Sequence, residues 1–320
     1  MKLTKIDTPF IFVIFGASGD LARIKLFPAI YELMHQRRFA KPFLIYGFAR
    51  TTRSVQEFRS EFISSVRKKF GKETNEKVLE ELVSHVNYFS GNYDNPSDYE
   101  KFFAQLATHQ PDLGQTTPIT LIAYYSVPPT SFNDITKNLA PFKEKYAMHL
   151  VIEKPFGENE KSARDMLAII EENFEEEDVY LLDHYLGKES VQSILSMRYT
   201  NSIINHLLKG ELIKYIQINA FEPYGVKERG RYFDQVGIIK DMIQSHLLQL
   251  LALVTMAMPH TLTAEAIHRE KFHILSALKF CDNDFLVRGQ YASYKKEKNI
   301  APASHTETFA ALKLCIDQTE

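Results

Sequence analysis

The chain has 320 residues, 45% of them hydrophobic, so it is long enough to bury more than one core. Thirty-eight basic residues against forty acidic ones leave a net charge of -2, which removes any bulk electrostatic case for nucleic acid or an anionic membrane as partner. Cys281 and Cys315 lie far apart without metal-ligand spacing, which suits free thiols in a reducing compartment; with an N-terminal apolar run too short for a signal peptide, the expected location is cytoplasmic.

In chain order, residues 9–15 predict a strand, Gly16 and Gly19 a turn, and 21–36 a helix. A second strand is predicted at 43–48, a polar amphipathic stretch to about residue 85, and further strands at 118–127, 149–153 and 179–182, with a helix at 161–174. Strands alternating with helices predict a doubly wound parallel sheet over 1–182. Beyond it the pattern changes: 212–221 is β-rich, 235–258 strongly helical, and 285–316 strand-like again, which predicts an α+β domain over 183–320. The helix at 238–258 carries Lys240, Asp241, Gln244, His246 and Gln249, too polar a set for a membrane span.

Three places hold candidate chemistry. The turn Gly16-Ala17-Ser18-Gly19-Asp20-Leu21-Ala22 joins a predicted strand to a predicted helix, where glycine admits close approach of backbone N–H groups to a pyrophosphate. The second strand ends at Arg50, with Arg53 nearby, where an NAD enzyme offers an acid to the ribose 2′-hydroxyl; a basic residue there points to a 2′-phosphate and so to NADP. Asp183-His184-Tyr185-Leu186-Gly187-Lys188-Glu189 puts His184 and Lys188 on one face, if the segment is helical, as a phosphate cradle. Asp241 and His246 lie about 7.5 Å apart along an α-helical axis, within reach of different hydroxyls of one hexose.

These residues resemble the glucose-6-phosphate dehydrogenase family, over what would be its N-terminal two-thirds. The likeness is carried by GASGDLA at 16–22, VPP at 127–129, EKPFG at 153–157, DHYLGKE at 183–189, FEPYG at 221–225 and RYFDQVGIIKDMIQSHLLQ at 231–249. It implies a Rossmann coenzyme domain followed by an α+β domain with a large, mainly antiparallel sheet, left incomplete by a chain that stops at Glu320. It implies oxidation of glucose-6-phosphate by NADP to 6-phosphogluconolactone, the first step of the oxidative pentose phosphate pathway, by a homodimer when intact.

By the same resemblance His246 is the general base and Asp183 orients it. His184, Tyr185 and Lys188 hold the substrate phosphate, while Glu222 and Asp241 bind sugar hydroxyls. Lys154, whose following proline is often cis in the family, touches both ligands. Gly16, Ser18, Gly19, Asp20, Leu21 and Arg50 contact coenzyme, with Tyr125 and Pro128 on the nicotinamide side; no metal is required. Leu181, Arg231, Lys240, Ser245 and Met258 depart from the family pattern. Two alternatives stand beside this reading: a catalytically silent NADP-binding homologue, and a related Rossmann oxidoreductase acting on an unphosphorylated sugar.

Overall fold

A computed structural model describes residues 5–39, 42–114, 118–157, 159–281 and 286–316. The chain divides into two compact units, Lys2–Leu182 and Asp183–Glu320.

The first unit is built on strands β1 (Phe10–Phe15), β2 (Phe43–Ala49), β3 (Val86–Ser90), β4 (Ile119–Tyr125), β5 (Tyr146–Glu153) and β6 (Val179–Leu182). All pairings are parallel and the order is β3-β2-β1-β4-β5-β6, the doubly wound arrangement in which strand order reverses beside β1. Its period of two assigns side chains to two cores. Ile11, Val13 and Phe15 of β1 face one cluster, and Phe10 and Ile14 face the other.

Helices α1 (Phe27–His35), α2 (Val55–Phe70), α3 (Glu76–Ser84), α4 (Pro96–His109), α5 (Phe132–Leu139) and α6 (Glu160–Asn173) accompany the sheet. Helix α2 starts on a capping box: Glu57 N–H donates to Ser54 Oγ at 3.2 Å, and Ser54 N–H to Glu57 Oε2 at 2.7 Å. The predicted helix at 21–36 opens instead as a π-helical turn, Ala22–Leu26, before α1.

The second unit carries α7 (Glu189–Thr200), α8 (Ser202–Leu207), α9 (Gly230–Ile238), a π-helical segment Ile239–Leu247, α10 (Leu248–Thr255) and α11 (Ala264–Ser276). Its strands β7 (Leu278–Phe280), β8 (Leu286–Gly289), β9 (Phe309–Leu312) and β10 (Leu314–Ile316) form two antiparallel pairs, β7 with β10 and β8 with β9. By length and a mean hydropathy of 1.2, the run Gly230–Thr255 would reach across a bilayer. Asp241 and His246, both buried within the protein, sit in its middle.

Two expectations are corrected here. The β-rich run 212–221 is not a strand: among the described residues nothing pairs with it, and a strand without a neighbour leaves its N–H and C=O groups to water. Most of its side chains lie in solvent, with Tyr215 76% and Phe221 79% exposed and only Ile213 and Ile218 half-buried. The cysteines are not thiols. Antiparallel pairing of β7 with β10 brings Cys281 and Cys315 to a Cα–Cα distance of 5.0 Å in a disulfide, which withdraws the case for a reducing compartment.

Candidate active site

In the first unit the glycine turn is built on a backbone that other residues rarely adopt. Gly16 has φ +84, and a Cβ there would lie 2.8 Å from both the Ser126 carbonyl carbon and Val127 Cγ1. Gly16 N–H donates to Phe48 O and Gly19 N–H to Gly16 O, each at 2.9 Å, closing the turn just before Ala22. Ser18 Oγ accepts from Thr51 Oγ1 at 3.2 Å, and Asp20 is exposed in an ion pair with Arg23. Leu21 is the residue on which the π-helical turn starts.

Arg50 follows the end of β2 and is exposed, its guanidinium 5.5 Å from the centre of the Tyr93 ring. Arg53, expected to assist it, is instead bound to Glu61, which also takes Arg23 at 3.0 Å. Pro128 stands directly before the 3-10 turn Pro129–Ser131. Tyr125 is core: its ring is fully buried and its hydroxyl bonds Thr136 Oγ1 at 3.1 Å, so a ligand contact at this position falls to the main chain. Lys154 comes directly after β5, joined to Pro155 by a cis peptide bond. A glycine turn packed too closely against Ser126 and Val127 to admit a Cβ, and leading into a helical turn, fits the phosphate end of a nicotinamide dinucleotide.

In the second unit five expected residues come together. His246 Nδ1 lies 2.5 Å from Asp183 Oδ1, which also accepts the Tyr185 N–H at 2.9 Å. With a carboxylate at Nδ1, that nitrogen donates and Nε2 is left as the acceptor. The Tyr185 ring stacks on the imidazole at 4.2 Å between centroids, and the His184 ring meets it edge-on at 4.5 Å. Lys188 places its ammonium 3.4 Å from the centre of the Tyr185 ring. Residues 184–187 form turns and Lys188 a bend, so the helical condition attached to a shared face of His184 and Lys188 is not met; the stretch is held by Leu186 N–H to Asp183 O at 3.0 Å and Lys188 N–H to Tyr185 O at 3.1 Å.

Between them Tyr185 and His184 cover the base: His246 is 0% exposed. Asp183 Oδ2 is buried without a hydrogen-bond partner among the described residues. Lys271, on α11, feels the charge of this carboxylate and was not singled out by any motif. Burial pulls its ammonium below the ordinary lysine range, and the Asp183 charge draws it part of the way back. Asp183, His184 and His246 also present ligand atoms within 4.8 Å of one another. Two ammonium groups close by, Lys188 and Lys271, make this a poor place for a further cation.

Asp241, expected to meet a sugar hydroxyl, is 5% exposed and accepts from Arg229 at 2.9 Å. Its α-helical spacing to His246 does not hold, because both residues lie in the π-helical segment. Glu222 lies exposed in the irregular stretch after 221 and makes no hydrogen bond to the cluster among the described residues.

Residues 13–193 match the family model for the glucose-6-phosphate dehydrogenase NAD binding domain, and residues 195–320 match that for its C-terminal domain. The chain belongs to the glucose-6-phosphate dehydrogenase family. Glucose-6-phosphate 1-dehydrogenases of Chlamydia muridarum and Hanseniaspora uvarum are each 35% identical to it, over 97% and 98% of this chain and 64% and 65% of their own lengths. The chain thus spans just under two-thirds of the length of these two curated relatives. A solved glucose-6-phosphate dehydrogenase in complex with its substrate superposes with a TM-score of 0.91 at 32% identity, covering 99% of this chain and 67% of that one. The family enzyme from Mycobacterium avium gives 0.87 at 30% identity, over 97% and 66%. Glucose-6-phosphate dehydrogenase membership also accounts for the six-stranded parallel sheet and its nicotinamide-nucleotide site.

Proposed function

We propose that this protein oxidises glucose-6-phosphate at C1 with NADP, giving 6-phosphogluconolactone and NADPH. The observation that carries the reading is the Asp183–His246 pair, ringed by His184, Tyr185 and Lys188. NADP, when bound, accepts the hydride that leaves C1. The chain's own residues do the rest.

His246 Nε2 takes the proton of the C1 hydroxyl, and Asp183 fixes the tautomer and stabilises the imidazolium that results. His184, Tyr185 and Lys188 hold the phosphate, an anion of nearly two charges that a fixed cation and a hydroxyl both bind and orient. Because His184 and Tyr185 also cover the imidazole, capture of the phosphate and uncovering of the base are one event in this scheme. Arg50 supplies the preference for a 2′-phosphate, Lys154 contacts both ligands, and Glu222 and Asp241 take sugar hydroxyls, Asp241 after exchange from Arg229. A homodimer in the cytoplasm belongs to the same proposal, supported by the family alone.

Steady-state production of NADPH tests it. His246→Ala is expected to lower kcat by at least about a hundredfold, the usual worth of a general base, and Lys188→Ala to raise KM for the sugar phosphate while leaving kcat near that of the parent. Parental turnover in the histidine variant would defeat the assignment. One observation favours a second reading, a coenzyme-binding protein without turnover: the base is fully buried. Calorimetric NADP binding with no NADPH formed would select it.

A further inference from the structure

The helical run that carries Asp241 and His246 is interrupted. Gly237 breaks it with φ 72 and ψ 166, and the chain restarts as the π-helical segment Ile239–Leu247. A restarted helix presents N–H groups that the preceding turn cannot satisfy. Two of these are met from a segment some seventy residues away in sequence. Ile238 N–H donates to the main-chain carbonyl of Glu307 at 3.0 Å, and Ile239 N–H donates to Glu307 Oε1 at 3.3 Å.

The fit is specific to the glycine. A Cβ on Gly237 would lie 2.8 Å from Glu307 Cδ and 3.0 Å from Oε2, and would overlap Oε1. The carboxylate also sits at the positive end of the helical dipoles that follow. Glu307 is itself held from both sides: Thr306 Oγ1 donates to Asp234 O at 2.6 Å, and Thr308 N–H donates to Gly289 O at 2.9 Å. Seven residues beyond the cap stands His246, whose 2.5 Å approach to Asp183 tolerates little drift along or about the helix axis.

We infer that Glu307 is a positioning residue for the Asp183–His246 pair, setting the register of the π-helical segment by capping its restart against Gly237. The inference rests on the reading of His246 as the base.

Its test needs no turnover. In the 320-residue chain labelled with ¹⁵N-histidine, the Nδ1 proton of His246, assigned by its loss in His246→Gln, is expected far downfield. Glu307→Ala is expected to speed amide exchange at Ile239 about tenfold, the worth of one hydrogen bond, and to broaden or shift the imidazole proton upfield. Glu307→Asp, one methylene short of Ile239, is expected to do both in smaller measure and serves if the alanine variant does not fold. Glu307→Gln keeps Oε1 and is expected to restore both signals. Faster exchange at Ile239 with an unmoved imidazole proton would make Glu307 a structural cap and overturn the inference, leaving the base reading intact. No downfield proton in the parent chain would sink the Asp183–His246 pair, and the inference with it.

Discussion

Gly16 and Gly71 share a positive φ, of +84 and +54, yet a Cβ meets three atoms at the first and nothing within 4 Å at the second. Gly71→Ala is therefore expected to cost only backbone strain, about 1 kcal/mol, with NADP binding unchanged. Gly16→Ala adds a clash with the Ser126 main chain, and calorimetry is expected to show NADP affinity at least about tenfold weaker, the equivalent of about 1.4 kcal/mol. Equal affinity in the two variants would remove the glycine turn from the coenzyme site. The turn was legible because strand, glycine and helix follow one another in sequence. Arg50 and Arg53 were not separable in the same way, since what distinguishes them is Glu61, a partner one helix away. Lys271 left no local trace for a similar reason: its environment is set by burial and by a carboxylate 88 positions earlier.

At the scale of elements, five strands of the parallel sheet, β1, β2, β4, β5 and β6, followed from apolar runs bounded by turns, and β1, β2, β4 and β5 supply most of its buried residues. Strand β3, Val86–Ser90, was not legible, because its short run Val-Asn-Tyr-Phe-Ser mixes polar with apolar residues. What stayed hidden was the interruption inside the long helix, which depends on Glu307, and the failure of 212–221 to become a strand, which depends on a partner. Asp234 ties α9 to the segment that delivers Glu307. Its Oδ1 accepts Tyr294 Oη at 3.0 Å and the Ser304 hydroxyl, and its Oδ2 accepts Ala301 N–H at 3.3 Å. Burial pushes this carboxyl up, but the bonds from Ser304, Ala301, Tyr294 and Thr306 outweigh it and hold the group below the usual carboxylate range. A folded-state pKa below the unfolded one gives stability that is fully present above about pH 4 and is lost as pH falls through the lower folded value. Asp234→Ala is accordingly expected to lower unfolding free energy by about 2 kcal/mol at pH 7, with the gap to the parent narrowing in acid; a gap that widens below pH 4 in denaturant titrations would contradict this account.

For the molecule as a whole, the run at 212–221 leaves Leu212, Tyr215 and Phe221 in water at 56%, 76% and 79% exposure. An unpaired β-rich segment with apolar side chains invites pairing with another chain. The double substitution Tyr215→Lys and Phe221→Lys is expected to raise the saturating concentration of this chain several-fold and to remove large species in sedimentation velocity, with far-UV circular dichroism unchanged. Unaltered self-association would show that the run is not what makes the chain sticky. Sequence pattern marked the segment as β-rich, but whether a ladder forms depends on which other strands are present. The pairing of Cys281 with Cys315 was equally beyond the spacing of the two residues, because it follows from the β7–β10 register. That bond closes a covalent ring, and inside it lie Tyr294, Ala301, Ser304 and Glu307. A protease that cuts once between the two half-cystines would open the ring without freeing either arm, so the buttress behind the restarted helix would stay tethered beside it after a nick.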